Sequence, residues 1–181
     1  MSREAESMLR ELRLPHRYVP YAVDTNTFTF ALPGEVSSAT LRARWSLPAD
    51  KMIVSNFMRD SLGSNLLEPK AQKGVELFVE VLAAATRKGL PVHVLLAGPR
   101  RHAIRRLLSA NGVPFTYIGQ LVDDDDNEIN ILDARTMNEL YHASDLHLIT
   151  SRWEGGPRAI LEAAATGTPV LSTRVGLAMD I

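Results

Sequence analysis

Short apolar runs alternate with amphipathic segments along most of this chain. Strands are predicted where the side chains are apolar throughout rather than on alternate positions: residues 51–58, 92–97, 115–118, 146–150 and 170–173. Helices are predicted between these runs: residues 73–88, 100–111, 136–144 and 157–166. Strands that are apolar on both faces and separated by helices indicate a parallel sheet covered on both sides. We therefore expect an α/β fold with a doubly wound, Rossmann-like parallel sheet, whose ligands bind at the carboxyl ends of its strands.

Two local signals refine the helices. The helix over residues 73–88 is predicted to face the sheet with one set of side chains: Val75, Phe78, Val81, Leu82 and Ala85. Thr136 and Glu139 have the spacing of a capping box and predict the start of the helix over residues 136–144.

The residues before the first predicted strand carry a different pattern. Apolar residues at helical spacing predict an amino-terminal helix: Ala5, Met8, Leu9 and Leu12. Residues 18–23 are expected to be extended, and residues 24–34 to form a loop.

Composition narrows the functional classes. With 181 residues, 45% of them hydrophobic and 23% charged, the chain is long enough for one α/β domain with a sizeable core. Its 20 basic and 21 acidic residues leave a formal net charge of −1, so we expect no nucleic-acid partner, because such proteins neutralise phosphates with excess Lys and Arg. The absence of cysteine excludes disulfides, thiolate nucleophiles and Cys-ligated zinc, and fits a cytoplasmic location.

Four common catalytic motifs are missing from the sequence: the glycine-rich dinucleotide fingerprint, the P-loop, the GxSxG nucleophile elbow and the HExxH zinc motif. The dehydrogenase, P-loop ATPase, serine hydrolase and zinc protease classes are therefore disfavoured.

The most informative segment is TSRWEGGPRAILEAAATGTPV, residues 150–170, in which a strand leads through a glycine-containing loop into a helix. Gly155 and Gly156 leave backbone N–H groups unobstructed beside the helix N-terminus, which favours an anion such as a diphosphate. Glu154 and Glu162 flank that terminus, where carboxylates suit sugar hydroxyls on either side of the phosphates, one hexose and one ribose. The alternative reading is that one glutamate is a surface charge and the other a solvated helix residue.

The run from Ser151 to Val170, S-x-x-E-G-x-P-x-x-x-L-E-A-x-x-x-G-T-P-V, resembles the signature of family 4 glycosyltransferases, whose core is a Glu-x7-Glu pair. Other matches follow in the family's order. VPYAVDTNTF, residues 19–28, resembles its interdomain linker, with Ala22 in place of the usual glycine. Lys73-Gly74 resembles the pair that opens its first helix, and residues 141–150 resemble the helix and strand before the signature.

The resemblance covers residues 18–181 and implies the donor-binding, C-terminal half of a B-type glycosyltransferase. For the catalytic roles it implies Glu154, Arg59 and Lys73. For binding of the donor it implies a second set: Glu162, Gly155, Gly156, Pro157, Gly119 and Lys70. Glu154 would hold hydroxyls of the transferred sugar and Glu162 the ribose, while the cations would bind the diphosphate and stabilise the departing nucleotide. Because the loop after Arg59 is long, Lys70 could replace Lys73 as the phosphate cation.

The family retains anomeric configuration and uses neither metal nor cofactor; its donor is a nucleoside-diphosphate sugar, here with uracil, guanine or adenine as the open alternatives. The resemblance also divides the chain: residues 1–34 would be an amino-terminal helix and remnant of the interdomain linker, and residues 35–181 a nucleotide-sugar-binding domain truncated at its C-terminus. The family's amino-terminal acceptor domain has no counterpart in this sequence. We therefore expect donor binding without transfer, the alternative being a nucleotide-binding or interaction module with no transfer chemistry.

Several other charged and aromatic residues allow more than one interpretation. The acidic run at residues 123–126 is expected to be a solvated loop rather than a metal motif, and the histidines to be structural rather than metal ligands. Four arginines, Arg100, Arg101, Arg105 and Arg106, form either a solvated helix face or a peripheral contact with anionic lipid. Trp153 either stacks on a sugar or packs the loop. Arg158 opposes the helix dipole and is expected to have a partner, phosphate or carboxylate.

Overall fold

A five-stranded parallel sheet is the centre of the fold. The computed structural model describes residues 2–32, 34, 36–61, 63–156 and 158–180. Within them the strands are β1 (Met52–Asn56), β2 (Val92–Ala97), β3 (Phe115–Ile118), β4 (Leu146–Ile149) and β5 (Val170–Ser172). Their order in the sheet is β3-β2-β1-β4-β5, and every neighbouring pair is parallel. The predicted doubly wound α/β fold is confirmed.

Helices cover both faces of the sheet. They are α1 (Arg3–Glu11), α2 (Ser38–Arg44), α3 (Val75–Arg87), α4 (His102–Ala110), α5 (Ala134–His142) and α6 (Arg158–Ala165). Residues of β2 show the two faces: Val94 and Leu96 pack with α3 and α4, whereas Leu95 and Ala97 pack with α2 and α5. Burial on both faces explains why the strands are apolar throughout.

Two details of the predicted helices are wrong. Val81 of α3 is exposed, and Val79 and Ala83 are buried in its place, because the buried stripe follows the i, i+3, i+4 rows that begin at Val75. The N-cap of α5 is Asp133, whose carboxylate accepts a hydrogen bond from the amide of Thr136 at 2.8 Å. A carboxylate at the N-cap satisfies this amide, so Thr136 lies inside the helix rather than capping it.

The segments before β1 pack against the sheet domain. α1 has no buried residue, and the amide of Arg3 donates to the carboxylate of Asp180 at 2.9 Å. Residues 18–23 have no regular structure, and Phe28 is buried in a cluster with Tyr141 and Ala163. None of the helices in these described ranges is long and apolar enough to cross a lipid bilayer.

The topology creates a crevice between β1 and β4. The chain passes from β1 to β2 and β3 on one side, and then returns to place β4 on the other side of β1. Loops after β1 and β4 therefore diverge at their carboxyl ends, which is where open α/β sheets bind ligands.

Candidate functional site

A cavity of about 510 Å³ lies at this crevice, between the loops that follow β1, β2 and β4. Five cationic side chains line it: Arg59, Lys70, Lys73, Arg100 and Arg158. Glu154 is its carboxylate, and Ser61, Asn127 and Gly156 add polar atoms and backbone. The cavity thus brings five predicted site residues, Arg59, Lys70, Lys73, Glu154 and Gly156, to one place and carries an excess of positive charge. We call it the cationic pocket.

Lys73 and Glu154 form an ion pair at the floor of the cationic pocket. The ammonium group contacts Oε1 of Glu154, and both side chains are largely buried, with 18% and 9% of their surface exposed. The hydroxyl of Ser151 donates to the same oxygen at 2.8 Å. Oε2 makes no hydrogen bond with any described residue, so it is available to a ligand. Glu154 is therefore not the solvated surface charge of the alternative reading.

Gly74 allows the approach that brings these two residues together. It has left-handed backbone angles, φ 58° and ψ 42°, and a Cβ at this position would overlap the carbonyl oxygen of Thr150. The hydroxyl of Thr150 donates to the carbonyl oxygen of Gly74 at 2.9 Å, and the amide of Arg152 donates to that of Gln72 at 2.8 Å. The start of α3 is thus bound to the end of β4, which explains the Lys-Gly pair in the sequence.

The other cations differ in how they are held. Arg100 is fixed by Asp125, with contacts of 2.5 and 3.1 Å, and by the carbonyl oxygen of Gly63 at 2.8 Å. The side chains of Arg59, Lys70 and Arg158 make no hydrogen bond or ion pair with the residues that the structure describes. The partner predicted for Arg158 is therefore not a carboxylate of that part of the chain. Three unpaired cations remain to receive an anion.

Two buried charges support this pocket from below. Asp60 accepts from the amide of Ile104 at 2.7 Å, while its own backbone binds the carbonyl of Arg100 and the amide of Lys70. Arg101 is fully buried, and its guanidinium donates to the main-chain and side-chain oxygens of Asn56 at 2.9 and 2.6 Å. Burial raises the pKa of Asp60, against the opposing effect of Arg101, and lowers the pKa of Arg101 to about 10. Arg101 is therefore not part of a solvated or lipid-facing helix surface, as its sequence setting suggested.

Sequence reasoning missed Asp60 and Arg100 as parts of this site. Both lie in the loops that follow strands that are neighbours in the sheet, Asp60 after β1 and Arg100 after β2. Position at the carboxyl end of adjacent strands was the available signal, but it needs the strand order, which spacing along the chain does not supply.

Glu162 lies in a neighbouring cavity of about 150 Å³, lined also by Asp24, Thr27 and Ala134. Arg158 lines both cavities and separates the two glutamates. Glu162 is half-buried, and its Oε2 accepts a hydrogen bond from the hydroxyl of Tyr141 at 3.0 Å. It is therefore held in place rather than being a freely solvated helix residue.

The remaining predicted site residues lie around these cavities. The ring of Tyr21 lies against Gly156, where any Cβ would overlap it, and close to Gly155. Gly119 follows β3 and lines neither cavity; a side chain there would meet Tyr117 and Asn130. Pro157 lies outside the described residues.

A further cavity of about 510 Å³ lies between the linker segment, α2 and α5. Its lining has two cationic side chains, Arg44 and Arg135, and Arg44 is paired with Glu139 at 2.7 and 2.8 Å. It offers less free charge than the cationic pocket, so we do not assign it to the site.

The acidic run is only partly the solvated loop that was expected. Asp123, Asp124 and Asp125 are exposed, but Asp126 is buried and accepts from the amide of Arg100 at 2.7 Å, from Asn130 at 2.6 Å and from Tyr117 at 3.2 Å. Burial alone would raise the pKa of Asp126, but these hydrogen bonds and nearby His102 hold it below its ordinary value. Asp126 is therefore a structural residue, because its carboxylate joins the loop after β2, at Arg100, to Tyr117 in β3.

The other features divide in the same way. His147 is fully buried and bonds Ser55 at 3.0 Å, as expected of a structural histidine. Trp153 is 57% exposed, so it does not pack the loop interior. Across the described ranges, no three His, Asp or Glu side chains are grouped so that they could hold a metal ion.

Solved structures with the same fold include several glycosyltransferases. Sucrose-phosphate synthase from Thermosynechococcus elongatus is 23% identical, with a TM-score of 0.69 over 98% of this chain and 40% of that one. HepE from Anabaena, solved with UDP and glucose, is 20% identical, with a TM-score of 0.70 over 99% of this chain and 44% of that one. The C-terminal domain of LpcC, a group 1 glycosyl transferase from Francisella tularensis, is 21% identical, with a TM-score of 0.59 over 86% and 72%.

This chain spans about two fifths of the first two relatives, and a comparison with curated proteins gave no match. At these identities the solved structures show the fold. The model of one family, the group 1 glycosyl transferases, matches residues 63–181, which include the Lys73–Glu154 pair, Glu162 and most of the sheet. The chain belongs to the group 1 glycosyl transferase family.

Proposed function

We propose that this chain is the donor-binding part of a retaining, metal-independent glycosyltransferase, which transfers a sugar from a nucleoside-diphosphate sugar to an acceptor hydroxyl. The observation that carries the proposal is the cationic pocket at the switch point of the sheet, where three cations beside Glu154 have no partner among the described residues. A cytoplasmic location, consistent with the lack of cysteine, belongs to the same proposal.

The unpaired cations suit a diphosphate leaving group. Arg59 and Lys70 follow β1, and Arg158 begins α6, so an anion between them is approached from two sides. The diphosphate gains a further negative charge as its bond to the sugar breaks. Cations already fixed around it stabilise this charge in the transition state more than in the bound donor, which is the condition for catalysis.

Glu154 suits the transferred sugar. Lys73 and Ser151 both contact its Oε1, which holds the carboxylate in one orientation. Its free Oε2 can accept hydrogen bonds from sugar hydroxyls but repels phosphate, so it selects the sugar end of the donor. This division of the carboxylate between the protein and the ligand supports the role that the sequence resemblance implies.

Glu162 suits the ribose. Its cavity adjoins the cationic pocket across Arg158, which fits a donor that extends from sugar through diphosphate to nucleoside. HepE was solved with UDP and glucose, the two parts of such a donor. Uracil, guanine and adenine remain equal candidates for the base, since the loop at Gly119 would contact it through backbone.

Transfer also needs an acceptor hydroxyl held against the anomeric carbon. Positioning of this kind accounts for roughly 7–11 kcal/mol of barrier reduction in favourable cases. The long relatives, of which this chain spans about two fifths, have further chain with which to supply it. We therefore propose that the 181 residues bind donor but do not transfer sugar by themselves.

Calorimetric titration of the chain with UDP, GDP and ADP, with and without EDTA, tests the binding proposal. We expect one of them to bind independently of EDTA, and Arg59→Ala and Lys70→Ala each to weaken binding by about 1–2 kcal/mol, the scale for a hydrogen bond to a charged group. The salt dependence of binding should fall with each substitution, since fewer ions are exchanged. Arg106→Ala is the matched control, because Arg106 is exposed, lies outside the cationic pocket and, among the described residues, donates a hydrogen bond only to the carbonyl oxygen of Leu67.

Incubation of the same chain with labelled nucleotide sugars and a panel of sugar and lipid acceptors tests the second part. Binding without transfer is expected. Robust turnover would contradict the proposed need for an acceptor-binding part. If no nucleoside diphosphate binds, the chain is an interaction module rather than a donor-binding one.

A further inference from the structure

Tyr141 is a buried phenol that none of the proposed steps has used. Its side chain is fully buried in α5, yet its hydroxyl reaches the edge of the core and donates to Oε2 of Glu162 at 3.0 Å. Glu162 belongs to α6, so this bond joins two helices at the smaller cavity.

The ring of Tyr141 is fixed by aromatic neighbours from three separate segments. Phe57 follows β1, His147 lies in β4 and Phe28 lies in the segment between α1 and α2. Their ring centroids lie 5.1, 5.3 and 6.2 Å from that of Tyr141, all in edge-to-face arrangements, which are the favourable geometry for aromatic pairs. The position of the hydroxyl is therefore set by the core of the domain rather than by the surface.

The phenol can serve only as a donor to this carboxylate. Burial raises the pKa of Tyr141 well above its ordinary value, and the neighbouring charge and hydrogen bond of Glu162 add to that effect. The hydroxyl therefore keeps its proton and donates a hydrogen bond to Oε2 of Glu162. This uses one acceptor site of Glu162 and fixes the side chain, while the remaining lone pairs are left for the cavity that it lines with Asp24 and Thr27.

We propose that Tyr141 is a positioning residue that holds the carboxylate of Glu162 against the ribose hydroxyls, and thereby sets the preference for ribonucleotides over nucleotides that lack those hydroxyls. The inference rests on the proposed function, since it takes the smaller cavity to be the ribose site. A carboxylate fixed in advance loses less side-chain freedom when the ribose binds, so the hydroxyl of Tyr141 raises affinity without touching the ligand.

The test compares UDP, GDP and ADP with their 2′,3′-dideoxy counterparts, by calorimetry on the 181-residue chain and three variants: Tyr141→Phe, Glu162→Gln and the double variant. We expect Tyr141→Phe to lower affinity for the ribonucleotide about five-fold, the scale of one hydrogen bond, and to leave affinity for the dideoxy compound unchanged. Glu162→Gln should lower the ratio of ribonucleotide affinity to dideoxynucleotide affinity at least as much as Tyr141→Phe does. The double variant should lower this ratio no further than Glu162→Gln alone.

Tyr117→Phe is the matched control. Tyr117 is half-buried in β3, and its hydroxyl shares one proton between the carboxylate of Asp126 at 3.2 Å and the carbonyl oxygen of Gly98 at 3.0 Å. Loss of its hydroxyl should change the affinity for both kinds of nucleotide by the same factor. Phenylalanine keeps the ring of Tyr141 in its aromatic cluster, and thermal unfolding of each variant shows whether the fold is kept.

The outcomes separate the inference from the proposal beneath it. If Tyr141→Phe leaves the ribose-to-dideoxy ratio unchanged while Glu162→Gln lowers it, the role of Tyr141 is wrong and the ribose site stands. If Tyr141→Phe weakens both ligands equally, the tyrosine is structural and the inference is again wrong. If Glu162→Gln also leaves the ratio unchanged, or no nucleotide binds, the ribose site and the inference both fail.

Discussion

Charged side chains at the carboxyl edge of the sheet lie in two layers with opposite properties. In the upper layer Arg59, Lys70 and Arg158 reach the cationic pocket and have no partner among the described residues. In the lower layer Asp60 and Arg101 are almost fully buried. The carboxylate of Asp60 accepts a hydrogen bond from the amide of Ile104, and the guanidinium of Arg101 donates to Asn56. Arg59 is followed directly by Asp60, and Arg100, which also lines the cationic pocket, is followed directly by Arg101. Adjacent residues in the chain therefore lie at different depths.

The difference shows what each layer contributes. A buried charge is costly unless hydrogen bonds or an opposite charge replace water. Oδ2 of Asp60 and one terminal nitrogen of Arg101 are hydrogen-bonded, whereas Oδ1 of Asp60 and the other two nitrogens of Arg101 are buried without a hydrogen-bond partner among the described residues, so this pair depends on the fold around it. The upper layer keeps its charge uncompensated, which costs little in water and leaves it free to meet a ligand. The buried layer thus holds the backbone from which the cations of the upper layer extend into the pocket.

The largest effect should come from removing the lower layer. Arg101→Ala deletes a fully buried side chain, breaks two hydrogen bonds to Asn56 and removes the largest of the positive charges that offset the burial of Asp60. We expect the free energy of unfolding in urea to fall by about 3–5 kcal/mol. Arg59→Ala, its counterpart in the upper layer, should change it by less than about 0.5 kcal/mol. Equal effects of the two substitutions would erase the distinction between the layers.

The stability of the protein should depend on pH through His147, which is buried in the core near Arg101. Burial, together with the charge of Arg101, lowers the pKa of His147 from 6.5 to about 3. Since the unfolded chain binds this proton more readily, stability is fully present above about pH 6.5 and falls as the pH drops toward 3, by about 1.4 kcal/mol per pH unit.

His147→Gln removes this proton but can keep a hydrogen bond to Ser55. Urea unfolding of both proteins between pH 6.5 and 4.5 should show a shallower slope for the variant, with the contributions of the other groups cancelling in the comparison. The exposed His16 provides the control, because His16→Gln should leave the slope as it is. Parallel curves for wild type and His147→Gln would contradict the assignment.

The smallest effect is expected within the acidic run at residues 123–126, where exposed aspartates are followed directly by a buried one. Asp126→Asn replaces a carboxylate that accepts three hydrogen bonds, so we expect it to lower stability by about 1–2 kcal/mol. Asp124→Asn changes an exposed side chain and should alter stability by less than about 0.5 kcal/mol. Thermal or urea unfolding of the two variants decides the matter; similar losses would show that the run acts as a unit.

The sequence by itself determined the sheet and indicated several residues that line the candidate site. Continuous apolar strands report burial on both faces, and right-handed crossovers leave few orders for such strands, so the parallel sheet followed from periodicity alone. The loop from Glu154 to the helix that bears Glu162 was found because a helix start restricts the residue types that fit. The Lys73-Gly74 pair was found only through its resemblance to a family motif, and the structure supplies the reason for its glycine, the close approach to Thr150.

Only the tertiary structure decided the depth and the partners of the charges. Lys73 and Glu154 are 81 positions apart, and Tyr141 and Glu162 are 21 apart. Arg101 and Asp126 stand in runs of like charge that read as solvated, yet both are buried. Local patterns report the period of a segment and the side it presents to the core. Whether a charged side chain reaches solvent or is enclosed depends on which loops cross at the sheet edge, and that is settled by contacts between segments far apart in the chain.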